Sequence, residues 1–364
     1  MPDLTLEQRI TQIEDEIRKT PYHKGTEHHI GKLKARAAKL KDEVIEKKSK
    51  SSGGGGGYAV KKTGDATVVL VGPPSVGKST LLNQLTNADS KVASYDFTTL
   101  DVIPGMLDYN GAKIQIFDVP GILTGAASGK GRGREVLSVA RNADLIVVIV
   151  DLKTVNKIPS LLNELYEAGV RINDTPPRVR VIKQSSGGIK VNSISTLRLS
   201  EDTVKELANE FRIPNAEIII KEDLSIDRLV DSFMGNRAYL PYLIVVNKSD
   251  TGKLPKDILE ITKGENPIFL SAQNNINLDE FKKMIWEKLS LIRIYLKEDE
   301  VVDKEDPLII KYGKTINELL EKLAIRNKDL IKAVRVFGKG AKYPGQEVSF
   351  NFVPEDETVL QFIY

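Results

Sequence analysis

The sequence predicts an α/β fold. Its sheet is covered on both faces by helices and carries an inserted α+β subdomain, with a helical hairpin ahead of it and a small module behind it. Three observations predict this. Short runs that are apolar throughout, Ala66–Val71, Leu145–Val150 and Tyr242–Val246, alternate with helical stretches, the texture of strands buried on both faces. About 90 residues separate the second and third of those runs, where one crossover helix needs only a dozen or two. Ser49–Gly57, with five successive glycines, cannot hold regular structure and cuts the first helical segment from the rest.

Residues 4–18 place Leu4, Ile10, Ile13 and Ile17 at helical spacing among charges, and Thr20-Pro21 breaks that helix. A second helical pattern runs from about Thr26 to Lys47, so residues 1–50 read as a helical hairpin and 51–64 as a glycine-rich linker. The second arm is basic, with Lys32, Lys34, Arg36, Lys39 and Lys41 close together. Such a run is either a solvated helix face or a surface turned to RNA or the ribosome.

Ala66–Val71 is the first strand and Lys78–Leu85 begins a helix. Val102–Leu107 and Lys113–Asp118 are strands joined by a turn at Asn110-Gly111. Leu145–Val150 is the fourth strand; it is far shorter than the roughly 20 apolar residues of a membrane span. Residues 152–170 supply the crossover helix. From about Asp174 to Arg237 the chain has signals of its own at Arg178–Lys183, Ile189–Ile194, Glu201–Phe211 and Glu217–Lys221, which marks an insertion. Tyr242–Val246 and Pro267–Leu270 are the fifth and sixth strands. Leu278–Leu296 reads as an amphipathic helix containing Trp286, the only tryptophan, and 297–306 as a charged linker. Strands at Leu308–Lys311, Ile331–Phe337 and Thr358–Ile363, with a helix near Thr315–Leu323, form the last module. The expected divisions are therefore 1–50, 51–64, 65–173, 174–237, 238–296 and 300–364.

Composition excludes several classes. The 364 residues are 41% hydrophobic and 28% charged, with a net charge of only +3, so any basic surface must be local. There is no cysteine, which removes disulfides, zinc–thiolate sites, iron–sulfur clusters and a cysteine nucleophile. The N-terminus has no signal-peptide pattern, and a cytoplasmic location with no membrane partner is expected.

The chemistry lies in short motifs. Gly72-Pro73-Pro74-Ser75-Val76-Gly77-Lys78-Ser79 satisfies G-x-x-x-x-G-K-S/T between a strand and a helix, the context that makes it a phosphate loop. Its glycines let backbone N–H groups wrap phosphates at a helix N-terminus, Lys78 reaches the β- and γ-phosphates, and Ser79 ligates Mg²⁺, with Thr80 beside it. Asn247-Lys248-Ser249-Asp250 follows a buried strand and selects guanine. An aspartate accepts from the ring N–H and the exocyclic amine, neither of which adenine offers at those positions, and an unpaired carboxylate penalises the wrong base. The lysine stem packs on the base, the asparagine tethers the motif to the phosphate loop, and Ser271-Ala272 completes the pocket through the Ala272 N–H on the guanine oxygen. Asp118-Val119-Pro120-Gly121 ends the third strand as D-x-x-G, with Asp118 on Mg²⁺ through water and the Gly121 N–H on the γ-phosphate. In Phe97-Thr98-Thr99-Leu100, Thr99, with Thr98 as alternative, closes on Mg²⁺ in the GTP state. Lys78, Thr99 and Gly121 are the candidate catalytic groups. Ile122 stands where many such GTPases carry a water-orienting glutamine, which predicts slow intrinsic hydrolysis. Lys130, Arg132 and Arg134 lie in a glycine-rich stretch, either as a mobile basic loop for a partner or as a source of an arginine finger in cis.

With these motifs in order the chain resembles the developmentally regulated GTP-binding (DRG) proteins, in the Obg group of translation-factor-class P-loop GTPases. The resemblance spans nearly the whole chain. It includes His28-His29-x-Gly31-x-Leu33-Lys34-Ala35-Arg36, Lys62-Thr63-Gly64-Asp65-Ala66, Gly129–Arg134, Gly187-Gly188-Ile189, Gly235-Asn236-Arg237 and Pro354–Glu357. It implies a helix-turn-helix-like N-terminal region, a GTPase domain interrupted by a ribosomal S5-like subdomain, and a C-terminal β-grasp TGS domain. It also implies a Mg-dependent protein hydrolysing GTP to GDP and phosphate, associated with ribosomes or RNA in translation and, in some members, with a regulatory partner protein. Some relatives use K⁺ with asparagine where this chain has Ser75, which leaves K⁺ open. Two alternatives stand beside this reading: a nucleotide-gated ribosome- or RNA-binding module with negligible turnover, and an Obg-like ATPase, which Asp250 disfavours.

Overall fold

The computed structural model describes residues 4–51, 64–86, 103–118, 139–194, 196–253, 255–298, 301–323 and 331–364. The chain divides into two compact units, Tyr58–Thr124, Ser138–Asn163 and Leu240–Tyr364 in one, and Met1–Gly57, Gly125–Leu137 and Glu164–Tyr239 in the other.

The first unit is organised by strands β1 (Ala66–Val71), β2 (Ile103–Tyr109), β3 (Ala112–Asp118), β4 (Leu145–Asp151), β5 (Tyr242–Asn247) and β6 (Ile268–Phe269). Their order in the sheet is β6-β5-β4-β1-β3-β2. All neighbours are parallel except β2 and β3, the hairpin expected at Asn110-Gly111. Both turn residues are left-handed, with φ of 52° and 80°, the pair that matches the twist of the flanking strands. Every residue of β1, β4 and β5 is buried, as a sheet covered on both faces requires. Leu70, Ile116, Val147 and Val245 share one core with Leu81, Leu82, Phe281 and Ile285 from the helices Lys78–Leu85 and Leu278–Leu289. Because the strands are parallel, their C-terminal ends gather at one edge. Gly72 follows β1 there, Asp118 and Asp151 end β3 and β4, and Asn247 ends β5.

The C-terminal module departs from expectation at its start. The helix stops at Leu289, where Ser290 turns left-handed at φ 52°, and the chain enters β7 (Leu291–Glu298) at once. The segment expected to be a linker is the hairpin of β7 and β8 (Val301–Lys311), so the boundary placed between 296 and 300 falls inside a sheet. With β9 (Ala333–Gly338), β10 (Gln346–Val348) and β11 (Thr358–Ile363) the order is β8-β7-β11-β9-β10, parallel only between β7 and β11. The helix Ile316–Lys322 lays Ile316, Leu319 and Leu320 against Ile294, Val336 and Leu360. Leu291 and Ile309 belong instead to the core of the main sheet. Lys311 Nζ meets Asp144 Oδ1 at 2.8 Å and Lys322 Nζ meets Asp65 Oδ1 at 2.8 Å, just ahead of β4 and β1.

The second unit holds α1 (Leu6–Lys19) and α2 (Glu27–Ser51), the helices Glu201–Glu210 and Ile226–Met234, and a sheet of Val179–Lys183, Ala216–Ile220 and Ile189–Ser193. A capping box between Thr5 and Gln8 starts α1. Ile30 and Ala35 of α2 share a core with Val204, Leu207, Ile218 and Leu229, so the N-terminal hairpin and the inserted segment form one body. The basic arm of α2 is the seam between them. Lys32 pairs with Glu206 at 3.2 Å, Lys34 with Asp227 at 2.7 Å, and Arg36 with Glu210 at 2.7 Å. Lys41 bridges Glu14 at 2.8 Å and Glu167 at 2.6 Å, while Lys39 donates to the Glu210 carbonyl and lies over the Phe211 ring. These side chains are paired within the unit, and Lys32 and Arg36 keep 37% and 56% of their side-chain surface exposed.

Next to that seam is a buried ionic knot. Arg171 donates to both oxygens of Asp231, at 2.6 and 2.7 Å, and stacks on Tyr166. Arg237 bonds Asp231 Oδ1 at 3.0 Å and pairs with Asp42 of α2 at 3.2 Å. Among the described residues no helix is long and apolar enough to cross a membrane.

Candidate functional site

The loop after β1 is shaped by two glycines. A Cβ on Gly72 would lie 2.0 Å from the Ile149 carbonyl oxygen of β4, so only glycine lets the chain leave β1 this close to its neighbour. Gly77 has φ 93°, and a Cβ there would meet Asn247 Nδ2 at 2.5 Å. Gly77 caps the helix Lys78–Leu85 without any side-chain hydrogen bond, leaving the first backbone donors to an anion. Gly72, Pro73 and Val76 are buried, whereas Pro74, Ser75, Ser79 and Thr80 are exposed.

Lys78 is buried and donates from Nζ to the carbonyls of Gly72 at 3.1 Å and Pro73 at 2.9 Å. Burial pushes its ammonium below the usual lysine range, and the nearby Asp118 charge works against that shift. Ser79 Oγ donates to Asp118 Oδ2 at 2.6 Å. Asp118 is only 2% exposed, and its Oδ1 has no hydrogen-bond partner among the described residues. A buried carboxylate oxygen without a donor calls for a cation or water, and a hydroxyl beside a carboxylate is the hard oxygen pair that Mg²⁺ takes. The residues fit the ion. Thr98, Thr99, Gly121, Ile122, Lys130, Arg132 and Arg134 lie outside the described residues.

Across the loop, Asn247 is 2% exposed and joins three segments. Its Nδ2 donates to the Val76 carbonyl at 2.8 Å, 171 positions away in the chain. Its Oδ1 accepts from the N–H of Lys248 at 2.8 Å and of Ala272 at 3.0 Å. The Ala272 N–H, expected on a guanine oxygen, is thus held by the asparagine. Lys248 sits at φ 57° and sends Nζ to the Ser75 carbonyl at 2.6 Å, laying its stem along the phosphate loop. The exposed Asp250 carboxylate is held below its usual range, first by the Ser271 hydroxyl and then by its own backbone N–H. Lys78, Ser79, Asp118, Asn247, Lys248, Asp250, Ser271 and Ala272 are therefore assembled at one end of the sheet.

Two members were not legible as site residues. Asp151, ending β4, lies 3.6 Å from Lys248 Nζ and caps the turn at Thr154; an aspartate closing an apolar strand was its only signal. Asn274 donates from Nδ2 to Asp250 Oδ2 at 2.8 Å, and no pattern in the sequence pointed to it.

Comparison with known proteins bears on the same residues. A family model described as a 50S ribosome-binding GTPase matches residues 67–184, and the model for the C-terminal region of that domain matches 186–291. An uncharacterized GTP-binding protein of Methanocaldococcus jannaschii is 48% identical over 368 aligned residues, covering 98% of this chain and 93% of that protein. Developmentally-regulated GTP-binding protein 2 of Homo sapiens is 39% identical over 359, covering 98% of each. Among solved structures, the Schizosaccharomyces pombe YchF GTPase aligns with a TM-score of 0.47 at 14% identity, over 83% of this chain and 99% of that one. By its likeness to such relatives along almost its whole length, the chain belongs to the developmentally-regulated GTP-binding protein family of P-loop GTPases.

Proposed function

We propose that this chain binds Mg–GTP on the loop Gly72–Ser79, reads guanine through Asp250, and hydrolyses GTP slowly to GDP and phosphate as a ribosome- or RNA-associated switch. The observation that carries the reading is the buried Asn247 amide, which ties the phosphate loop, the Lys248–Asp250 turn and Ala272 into one pocket. A phosphate site and a base site held by the same side chain fit one ligand, a nucleotide whose base is chosen by a carboxylate.

Within that pocket Lys78 and the loop N–H groups would hold the phosphates, and Ser79 and Asp118, joined by Thr99 in the GTP state, would hold magnesium. The ion, when bound, neutralises charge on the phosphate oxygens. Asp118 draws the Ser79 hydroxyl into place from the end of β3. Ile122 follows the D-x-x-G motif, so the chain lacks the glutamine that would orient water there, and slow turnover follows.

The ribosome reading draws on the family model's description and on the two accessory bodies. A three-stranded sheet backed by two helices suits an S5-like insertion joined to a helix-turn-helix-like hairpin, and a five-stranded sheet crossed by one helix suits a β-grasp TGS module. GTP turnover with Mg²⁺, with and without ribosomes and in K⁺ against Na⁺, tests it. The expected result is a slow basal rate raised about tenfold or more by ribosomes, a barrier lowered by roughly 1.4 kcal/mol or more. Negligible turnover with ribosomes, RNA and K⁺ all present would leave only the nucleotide-gated binding module.

A further inference from the structure

Asp250 is exposed, and an exposed carboxylate ordinarily samples several rotamers. Here it is held from two sides. The Ser271 hydroxyl bonds it, and Asn274 Nδ2 donates to Oδ2 at 2.8 Å. Asn274 is itself anchored to the same segment, its backbone N–H donating to Ser271 Oγ at 3.4 Å. Ser271 is 1% exposed and exchanges backbone bonds of 3.2 and 3.0 Å with Ile276. Two further asparagines shape this turn, Asn275 and Asn277 at φ 55° and 58°, and Asn277 Nδ2 fastens it to the Phe269 carbonyl at 2.8 Å. The turn is therefore a tied loop from which the Asn274 amide reaches Asp250.

We infer that Asn274 is a specificity-positioning residue: it fixes the Asp250 carboxylate so that both oxygens face the two donors of guanine, and thereby sets discrimination against bases that offer only one. The inference rests on Asp250 as the reader of the base. The physical reason is geometric. A carboxylate accepting two parallel N–H bonds needs its plane fixed, whereas one accepting a single bond tolerates rotation. An amide donor on Oδ2 fixes the plane and leaves that oxygen's other lone pair to the base. Hypoxanthine keeps the ring N–H of guanine and lacks the exocyclic amine, so the ratio of GDP to IDP affinity reads the second bond alone.

The test uses the full chain with GDP, IDP and XDP, and the variants N274A, N274D and D250N. Asn274→Ala is expected to weaken GDP about tenfold and IDP by much less, narrowing the GDP/IDP ratio, because it removes a charge-assisted hydrogen bond behind the carboxylate. Asn274→Asp, which sets a second carboxylate against Asp250, is expected to weaken GDP further, while Asp250→Asn moves preference towards XDP. If Asp250→Asn switches preference but Asn274→Ala leaves the GDP/IDP ratio unchanged, Asn274 does not position Asp250 and the inference is overturned while the base reading stands. Equal weakening of all three nucleotides by Asn274→Ala would likewise overturn it, as the mark of a merely structural residue. If Asp250→Asn leaves GDP preferred, the base reading and the inference fall together.

Discussion

Lys78→Ala weakens GTP binding about a hundredfold or more, because a hydrogen-bonded charge in a site of this kind is worth roughly 1.5–3 kcal/mol and the lysine makes more than one such bond. The size of the effect comes from where the ammonium lies. It is buried, it donates to two carbonyls of its own loop, and burial already lowers its pKa, so a phosphate that reaches it meets a cation poor in competing water. Equilibrium binding of a fluorescent GTP analogue reads the change. Affinity unchanged in the variant would mean that the phosphates sit elsewhere.

Asp231→Ala is expected to remove about 3–5 kcal/mol of stability from the unit built of the N-terminal hairpin and the insertion, the loss typical when one partner of a buried ion pair is deleted. Asp231 is 7% exposed and serves two guanidinium groups. Burial alone would lower the Arg171 pKa, yet the hydrogen bonds and charge of Asp231 raise it, so the pair is held together as ions. Without the carboxylate, Arg237 would keep Asp42 and the Asn236 side-chain oxygen, while Arg171 would keep only the Tyr166 carbonyl and ring, and no second carboxylate is within reach of it among the described residues. Chemical denaturation followed by circular dichroism measures the loss, with nucleotide affinity as the control because its residues belong to the other unit. A change under 1 kcal/mol would mean that water compensates both arginines and that the knot does not hold the unit together.

Strands β1, β4 and β5 were legible because their burial is written as apolar runs, β2 and β3 because of the turn at Asn110-Gly111, and the phosphate loop because its spacing is local. Contiguity decided the rest. The helix read to Leu296 stops at Ser290, since a left-handed residue followed by alternating Ile292, Arg293 and Ile294 starts a strand that helical periodicity had absorbed. Residues 297–306 read as a linker because they are charged, and only Leu308–Lys311 read as a strand, but charge is how a sheet protects an outer strand, and the strand Val301–Lys311 is at the edge. The pairing of the basic arm of α2 was hidden for a related reason: its partners Glu206, Glu210 and Asp227 lie about 170–190 positions away, and no local pattern pairs them. Asn274 and Asp151 escaped notice because their meaning depends on which strand ends become neighbours.

The claim that everything else leans on is that Asp250 reads guanine in a pocket shared with the phosphate loop. Competitive binding of GDP and XDP to the full chain and to Asp250→Asn tests it most directly. The account predicts that the wild-type chain prefers GDP and that the variant prefers XDP, because an amide offers a donor to the second carbonyl of xanthine where the carboxylate would repel it. A variant that still prefers GDP as the wild-type chain does would contradict it.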